Sequence, residues 1–330
     1  MKSLLKVALL LSIFSLSACA TKPNNQRIIN QNEDFILVKV QENDSFESLA
    51  LEFIGSAKYA SLIKRYNPES LLSSGGFIAI PRTPQNMTSV FYDGYQKVPI
   101  LCYHQFTRDR SSSNPMVVTE AEFTQQMAYL HEKGYQVISL QEASEFVRGQ
   151  RELPDNAVVI TIDDGYRSFK DIALPVLTKY QFPSTMFIYP EFIGGKLALS
   201  WQDVKSLVNH PLVEIESHST THSSLSRNPS GEDIRGYQTR IRGEVEQAQQ
   251  RIYRNTHQKV RHFAYPYGNT SAELVGVLEQ HNYQTGVTVQ RGSNPAFSSP
   301  YLLNRTMIYG GDSMQTFVNA LDTFESTNLQ

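Results

Sequence analysis

The feature that most constrains this chain is the alternation of strand-like and helix-like stretches over its C-terminal two thirds. The strand-like stretches read VPILCYH, QVISL, AVVITID, STMFIY, VEIESH, VRHFAY and QTGVTV. Helix-like stretches occupy 119–133, 140–149, 168–180, 201–209, 233–254 and 271–281. The run Ala157-Val158-Val159-Ile160 is unbroken apolar sequence, which suits a parallel strand covered on both faces. A repeated β–α order of this length predicts an α/β fold with a parallel sheet, long enough for a barrel.

The segment AVVITIDDGYRSF ends a strand on two adjacent carboxylates, Asp163 and Asp164. Asp-Gly is a strong hairpin signal. The residues that follow do not alternate, however: Phe169, Ile172, Ala173, Val176 and Leu177 recur at helical spacing. The stretch therefore reads as strand, tight turn, helix, and its carboxylates stand where α/β folds place their chemistry. Other strands end on Tyr103-His104, Ser217-His218 and Tyr265-Pro266-Tyr267. His218 and His222 are four apart, so one helical turn or a tight loop aims both imidazoles at one point. Two histidines and a carboxylate form a common catalytic zinc set that keeps a position open for water. Both aspartates cannot stay unpaired in one pocket without one pKa rising strongly, and a divalent cation removes that conflict. One carboxylate then ligates the ion while the other takes a proton from water.

With 330 residues the chain has room for more than one domain, and its formal charge of -2 argues against a nucleic-acid surface as the main partner. The N-terminus, MKSLLKVALLLSIFSLSACA, carries Lys2 and Lys6, an apolar run and small residues before Cys19. It reads as a secretory signal over 1–18, too short for a comfortable membrane span. Leu16-Ser17-Ala18-Cys19 resembles the lipobox of bacterial lipoproteins. The resemblance implies removal of the signal before Cys19, acylation of that residue, and attachment to a membrane through lipid. Ala20, rather than Asp, after the cysteine implies the outer membrane of a bacterial envelope, on its periplasmic side. With Cys19 acylated, Cys102 has no disulfide partner and reads as a buried, inert thiol.

Residues 19–34 are polar, lack a core pattern, and read as a tether. A small unit follows over 35–81: a strand FILVKV, a helix capped by Asp44 or Ser45, a helix in AKYASLIKRYNP and a strand in GGFIAIP. This βααβ order, with VKVQENDSFESLALEF, LIKRYNP and GGFIAIP, resembles the LysM domain, which implies binding to N-acetylglucosamine-containing glycans. A small α+β spacer is the plainer reading. Residues 82–96, with Pro84 and Asp93-Gly94, read as a linker to the domain over 97–330.

TIDDGY, HSTTH and FAYPYG, in that order, resemble the motifs of the polysaccharide deacetylase family, carbohydrate esterase family 4 with NodB homology. The resemblance implies a distorted (β/α)7 barrel and removal of acetyl groups from N-acetylglucosamine units of an envelope polysaccharide, either peptidoglycan or exported poly-N-acetylglucosamine. It implies Asp163 as catalytic base. It implies Asp164, His218 and His222 as ligands of a divalent metal, zinc or alternatively cobalt or nickel. The Tyr267 backbone N–H would bind the oxyanion, and Trp201 matches an aromatic near the site in relatives, with ordinary helix packing as the equal alternative. Two positions depart from the pattern. Where relatives carry an arginine that orients the base, this chain has Ala264; Arg305 is one replacement, and a surface arginine is the other reading. The C-terminal Leu-x-His motif that supplies the general acid is missing. His104 ends the first barrel strand and can replace it, or is simply a buried structural histidine. A second function keeps the fold without catalysis: a glycan-binding lipoprotein tethering outer membrane to wall. Nothing in the sequence sets the oligomeric state.

Overall fold

The structure, a computed structural model, describes residues 25–327 except 68, 83–84, 92, 110–111 and 228–230. The expected signal 1–18, the lipidation residue Cys19 and the first part of the tether lie outside the described residues. No helix among the described residues is long and apolar enough to cross a membrane. The chain divides into two compact units, Met1–Pro84 and Gln85–Gln330.

The first unit is an antiparallel sheet of β1 (Ile28–Gln31), β2 (Phe35–Lys39) and β3 (Phe77–Pro81) in that order. Helices α1 (Phe46–Ile54) and α2 (Ala60–Tyr66) lie between β2 and β3 in sequence. Ser45 caps α1 and its hydroxyl accepts from the Ser48 N–H. Buried Asn67 ties the end of α2 to β3: its amide donates to the Ala79 carbonyl at 2.8 Å and accepts from the Ala79 N–H at 2.9 Å. The expected tether over 19–34 needs correction, because 28–31 is a strand paired with β2. Arg27 is the reason that end is ordered. Its guanidinium is buried against Asp44 and, at 2.6 Å, Glu52. Hydrophobic patterning is blind to an anchor made of charge.

The second unit is an α/β fold around a curled sheet. Its parallel strands are β4 (Gly94–Tyr103), β5 (Ala157–Ile162), β6 (Ser184–Ile188), β7 (Val213–Ser217), β8 (His262–Ala264) and β9 (Thr285–Val287), each paired with the next. A short strand β10 (Thr306–Met307) pairs in parallel with Leu101–Cys102 of β4, and Leu303 bridges in parallel to Val287 of β9. The two edges of the curl thus meet through residues 303–307. The expected linker over 82–96 is also corrected. Val90–Phe91 pairs with residues 94–95, and β4 itself begins at Gly94.

Helices α3 (Glu120–Glu132), α4 (Leu140–Val147), α5 (Leu174–Tyr180), α6 (Trp201–Val208), α7 (Ile234–Thr256) and α8 (Ala272–Gln280) join the strands. Thr119, Ser139 and Ser200 each open one with a reciprocal capping box to an acid three residues on. The core has two layers, one on each face of the sheet. Leu101, Tyr103, Val158, Ile160, Ile162, Met186, Ile188, Ile215 and Phe263 pack outward under the helices. The alternate residues Val98, Ile100, Val159, Phe187, Ala264, Val287 and Leu303 pack inward with Leu140, Ala143, Phe146 and Val147 of α4.

The inner face turns polar between β7 and β8. These strands share only the pair Ser217–Phe263, and the Glu216 carboxylate fills in. One oxygen accepts the N–H groups of Arg261 at 2.6 Å and His262 at 2.8 Å. Burial raises the Glu216 pKa to about 8 against those bonds, so its folded value lies above its unfolded one. Stability from this group is therefore full below the unfolded value near 4.5 and is lost as pH rises toward 8. Glu216→Gln keeps an acceptor for both N–H groups without the titration. Its unfolding free energy relative to wild type is expected to improve steadily between about pH 4.5 and 8, read by urea denaturation. A pH-independent difference would mean that Glu216 is ionised in the folded protein.

Candidate functional site

Three loops leave the C-terminal ends of β5, β7 and β8 and meet over one cavity of about 330 Å³. His104, Asp163, Asp164, His218, His222 and Tyr267 all line it. Trp201 does not. It opens α6 half-buried against the outer core, so of its two sequence readings the structure holds the packing one.

Each loop bends through backbone that L-residues rarely adopt. Asp164 (φ 78), Ser219 (φ 65), His222 (φ 61) and Tyr267 (φ 59) are all left-handed and none is glycine. Strain of this kind, on the order of 1–3 kcal/mol per residue, persists where surrounding contacts over-determine it. Gly165 (φ 90) completes the turn after Asp164, and a Cβ there would stand 2.9 Å from the Ile193 side chain.

Asp163 continues the inward alternation of Val159 and Thr161. Its partner is Arg305, which is fully buried. Residues 303, 305 and 307 alternate inward in the same way, from Leu303 in the inner core to Met307 on the cavity wall. The guanidinium forms a fork on Asp163, Nη1 to Oδ1 and Nη2 to Oδ2, each at 2.7 Å. It also donates to Thr161 Oγ1 at 3.1 Å and the Thr288 carbonyl at 2.8 Å, and lies 5.5 Å from the Phe187 ring centre. Arg305 is therefore no surface arginine. It supplies, from the far end of the chain, a charge against Asp163 where position 264 is alanine. Burial works to raise the Asp163 pKa, but the Arg305 charge, with His218, outweighs it and holds the carboxyl below the usual carboxylate range.

Asp164 has the opposite environment. Burial, then the neighbouring Asp163 charge, raises its pKa to about 7. Its Oδ1 is buried without a hydrogen-bond partner. That oxygen lies 3.7 Å from His218 Nε2 and 3.6 Å from His222 Nε2. The Nδ1 of His218 stands 2.8 Å from the Ala264 carbonyl, so Nδ1 carries the proton and the Nε2 lone pair faces Asp164. Burial lowers the His218 pKa to about 3 and also lowers that of His222, keeping both imidazoles neutral. A tetrahedral zinc ion with ligands at 2.0–2.2 Å sets them roughly 3.4 Å apart, close to this spacing. Neutral imidazoles and an orphaned carboxylate oxygen fit a divalent cation.

The His222 ring lies 4.8 Å from Tyr267 and 5.0 Å from Tyr189, an aromatic the sequence reading did not single out. Tyr267 is largely exposed and sits second in a single 3-10 turn after Pro266, where the backbone N–H has no partner within the turn. His104 follows β4 on the cavity wall, and burial lowers its pKa while Asp163 opposes the shift. Beneath it Cys102 is fully buried, with Sγ 3.6 Å from Asp163 Oδ2, and burial pushes its pKa well above the ordinary value. Cys102, His104 and Asp163 form a second cluster with ligand-capable atoms within 4.8 Å of one another. Both oxygens of Asp163 are already engaged by Arg305, so the first cluster is the better cation site.

Comparison with known proteins gives a consistent result. A family profile described as polysaccharide deacetylase matches residues 150–286. The protein YxkH of Bacillus subtilis (strain 168), whose name places it among polysaccharide deacetylases, is 31% identical over 221 residues, 67% of this chain and 75% of its own length. Poly-beta-1,6-N-acetyl-D-glucosamine N-deacetylase of Escherichia coli (strain K12) is 24% identical over 70% of this chain, which spans only 39% of that relative. The enzyme of the same name from Staphylococcus epidermidis is 24% identical over 63% of this chain and 73% of its own length. Among solved structures, the Streptococcus pyogenes deacetylase PplD in complex with acetate superposes with a TM-score of 0.61 at 22% identity, over 68% of this chain and 98% of that one. IcaB from Ammonifex degensii superposes with a TM-score of 0.60 at 24% identity, over 70% and 98%. These structural likenesses bear on the fold.

The Arg305–Asp163 pair makes a measurable demand on stability. Removing one partner of a buried ion pair costs about 3–5 kcal/mol, because the other charge is left uncompensated. Arg305→Met is expected to lose about that much at pH 7 in urea denaturation. In the variant, burial no longer opposed by Arg305 raises the Asp163 pKa above its unfolded value near 3.8, so the carboxyl takes up a proton and the deficit shrinks as pH falls from 7 toward that value. A deficit of equal size at pH 7 and pH 4 would show that Arg305 does not hold Asp163 ionised.

Proposed function

Because the chain belongs to the polysaccharide deacetylase family, hydrolases acting on N-acetyl amide bonds, we propose that it deacetylates an envelope polysaccharide built from N-acetylglucosamine. The observation that carries this reading is the meeting of Asp164, His218 and His222 beside an aspartate gripped by Arg305. In this reading Asp164, His218 and His222 hold a divalent cation, zinc by preference. When bound, that ion supplies Lewis acidity at the amide carbonyl and the attacking water.

The chain's own residues do the rest. Asp163 accepts the proton of the attacking water, with its carboxylate aimed by the Arg305 fork. Its depressed proton affinity means that a proton taken up there is passed on rather than kept. The unpaired N–H of Tyr267 donates to the carbonyl oxygen as negative charge builds on it. His104, on the same wall, receives that proton and hands it to the departing amine, which releases acetate and leaves a glucosamine unit. The names of the Escherichia coli and Staphylococcus epidermidis relatives favour a poly-β-1,6-linked substrate over peptidoglycan. In the same reading the first unit is a LysM-like module holding such glycan, and acylated Cys19 anchors the protein at the outer membrane.

The test is acetate release by the purified protein, with zinc, from β-1,6- and β-1,4-linked N-acetylglucosamine oligosaccharides. The β-1,6 series is expected to be the better substrate. Asp163→Asn should retain the metal and lose most activity, because an amide cannot take the proton. His104→Ala should lower kcat by roughly 10²-fold or more, the usual scale for one acid–base group. No acetate from either series at any metal loading would refute the proposal. A normal kcat in His104→Ala would remove His104 from the proton path.

A further inference from the structure

His222 stands on a loop whose shape the loop does not fix by itself. Ser219 and His222 are both left-handed, and only one hydrogen bond links them, from the His222 N–H to Ser219 Oγ at 3.1 Å. What spans the gap is Glu244, from the middle of α7. Its Oε2 accepts the N–H groups of Thr220 at 2.9 Å and Thr221 at 3.0 Å. Its Oε1 accepts from Thr221 Oγ1 at 2.8 Å, and its backbone carbonyl accepts from Thr220 Oγ1 at 2.8 Å. One helical residue thus takes four hydrogen bonds from the two residues that precede His222. Glu244 does not line the cavity and is not one of the residues whose ligand atoms converge there.

We propose that Glu244 is a positioning residue for the cation site, clamping the strained loop so that the His222 imidazole meets His218 and Asp164 at ligand spacing. The inference rests on the reading that Asp164, His218 and His222 hold a divalent cation. The physical argument is one of pre-organisation. The strand end fixes His218, whose Nδ1 proton is held by a backbone carbonyl. The end of β5, two strands away, fixes Asp164. His222 is the ligand farthest from regular structure, so its placement depends on the loop. Without the carboxylate, two backbone N–H groups lose their acceptor, and the left-handed residues lose what holds them. Loss of an outer partner that orients a ligand typically weakens metal binding by 10–100-fold.

The experiment measures cobalt(II) affinity of the full chain by visible absorption in competition with a chelator, and zinc affinity by the same competition. Glu244→Ala is expected to weaken both by roughly 10–100-fold. Glu244→Gln, which keeps an acceptor for the two N–H groups, should recover most of that affinity. Thr221→Val, which removes the hydroxyl with its bonds to Glu244 and Ser223 but leaves both N–H groups on the carboxylate, gives a milder loss and serves if Glu244→Ala does not fold. Ile252→Val trims a fully buried side chain on the same helix and controls for stability alone. It should lower the melting temperature and leave cobalt affinity unchanged. At saturating metal, Glu244→Ala should regain most of its kcat. Wild-type affinity in all the Glu244 and Thr221 variants, beside a wild type that binds cobalt tightly, would overturn the proposal. A wild type that binds neither ion at this site would instead overturn the cation reading beneath it.

Discussion

The ion pair between Arg305 and Asp163 is the interaction on which the rest of the site depends. Two adjacent carboxylates at the end of one buried strand cannot both stay ionised in a low-dielectric cavity without opposing charge. Arg305 settles this by position. It holds Asp163 ionised and leaves Asp164 as the group whose charge is uncompensated, with a pKa of about 7. The same chemical side chain, placed twice in succession, therefore acquires two roles. A positive partner that cannot leave sits on one, and an orphaned oxygen facing two neutral imidazoles is left on the other.

Burying a guanidinium is possible only because of how the sheet curls. The inner face is apolar near α4 and polar near the strand ends, and residues 303–307 carry the chain across the seam between the first and last strands. Alternation along that segment points Arg305 inward, directly over the inner core. Thr161 and the Thr288 carbonyl take the donors that Asp163 does not. Glu216 answers a related problem deeper in the curl. There a carboxylate accepts backbone donors where two strands scarcely pair, and burial raises its pKa rather than lowering it. Two buried acids, two strands apart in the sheet, thus shift in opposite directions, and what separates them is whether a buried guanidinium pairs directly with the carboxylate.

The histidine loop adds a second constraint of a different kind. Rigid strand ends place Asp164 and His218, whereas His222 is held by hydrogen bonds from a helix and by the rings of Tyr189 and Tyr267. Left-handed backbone at non-glycine residues recurs in all three site loops, which is where a fold stores strain in order to aim side chains.

Much of this protein was legible before any coordinates. Apolar runs, helical spacing and capping residues mark the strands and helices of the second unit to within a few residues, because those signals are local and arise from burial and backbone geometry. The aspartate pair, the His218–His222 spacing and the Tyr265-Pro266-Tyr267 turn are short-range patterns too, so the candidate site residues could be named from sequence. What could not be read was anything that depends on charge meeting charge across the chain. Arg27, lying in what reads as a tether, is buried between Asp44 and Glu52. Glu244 lies on a polar helix with nothing to mark it. From sequence Arg305 reads either as a surface residue or as a partner for Asp163, and Trp201 equally as a site residue or a packing one. Only the tertiary structure decided these. A side chain's partner is set by which strands the curl brings together, and residues 163 and 305 become neighbours only when the two edges of the sheet meet.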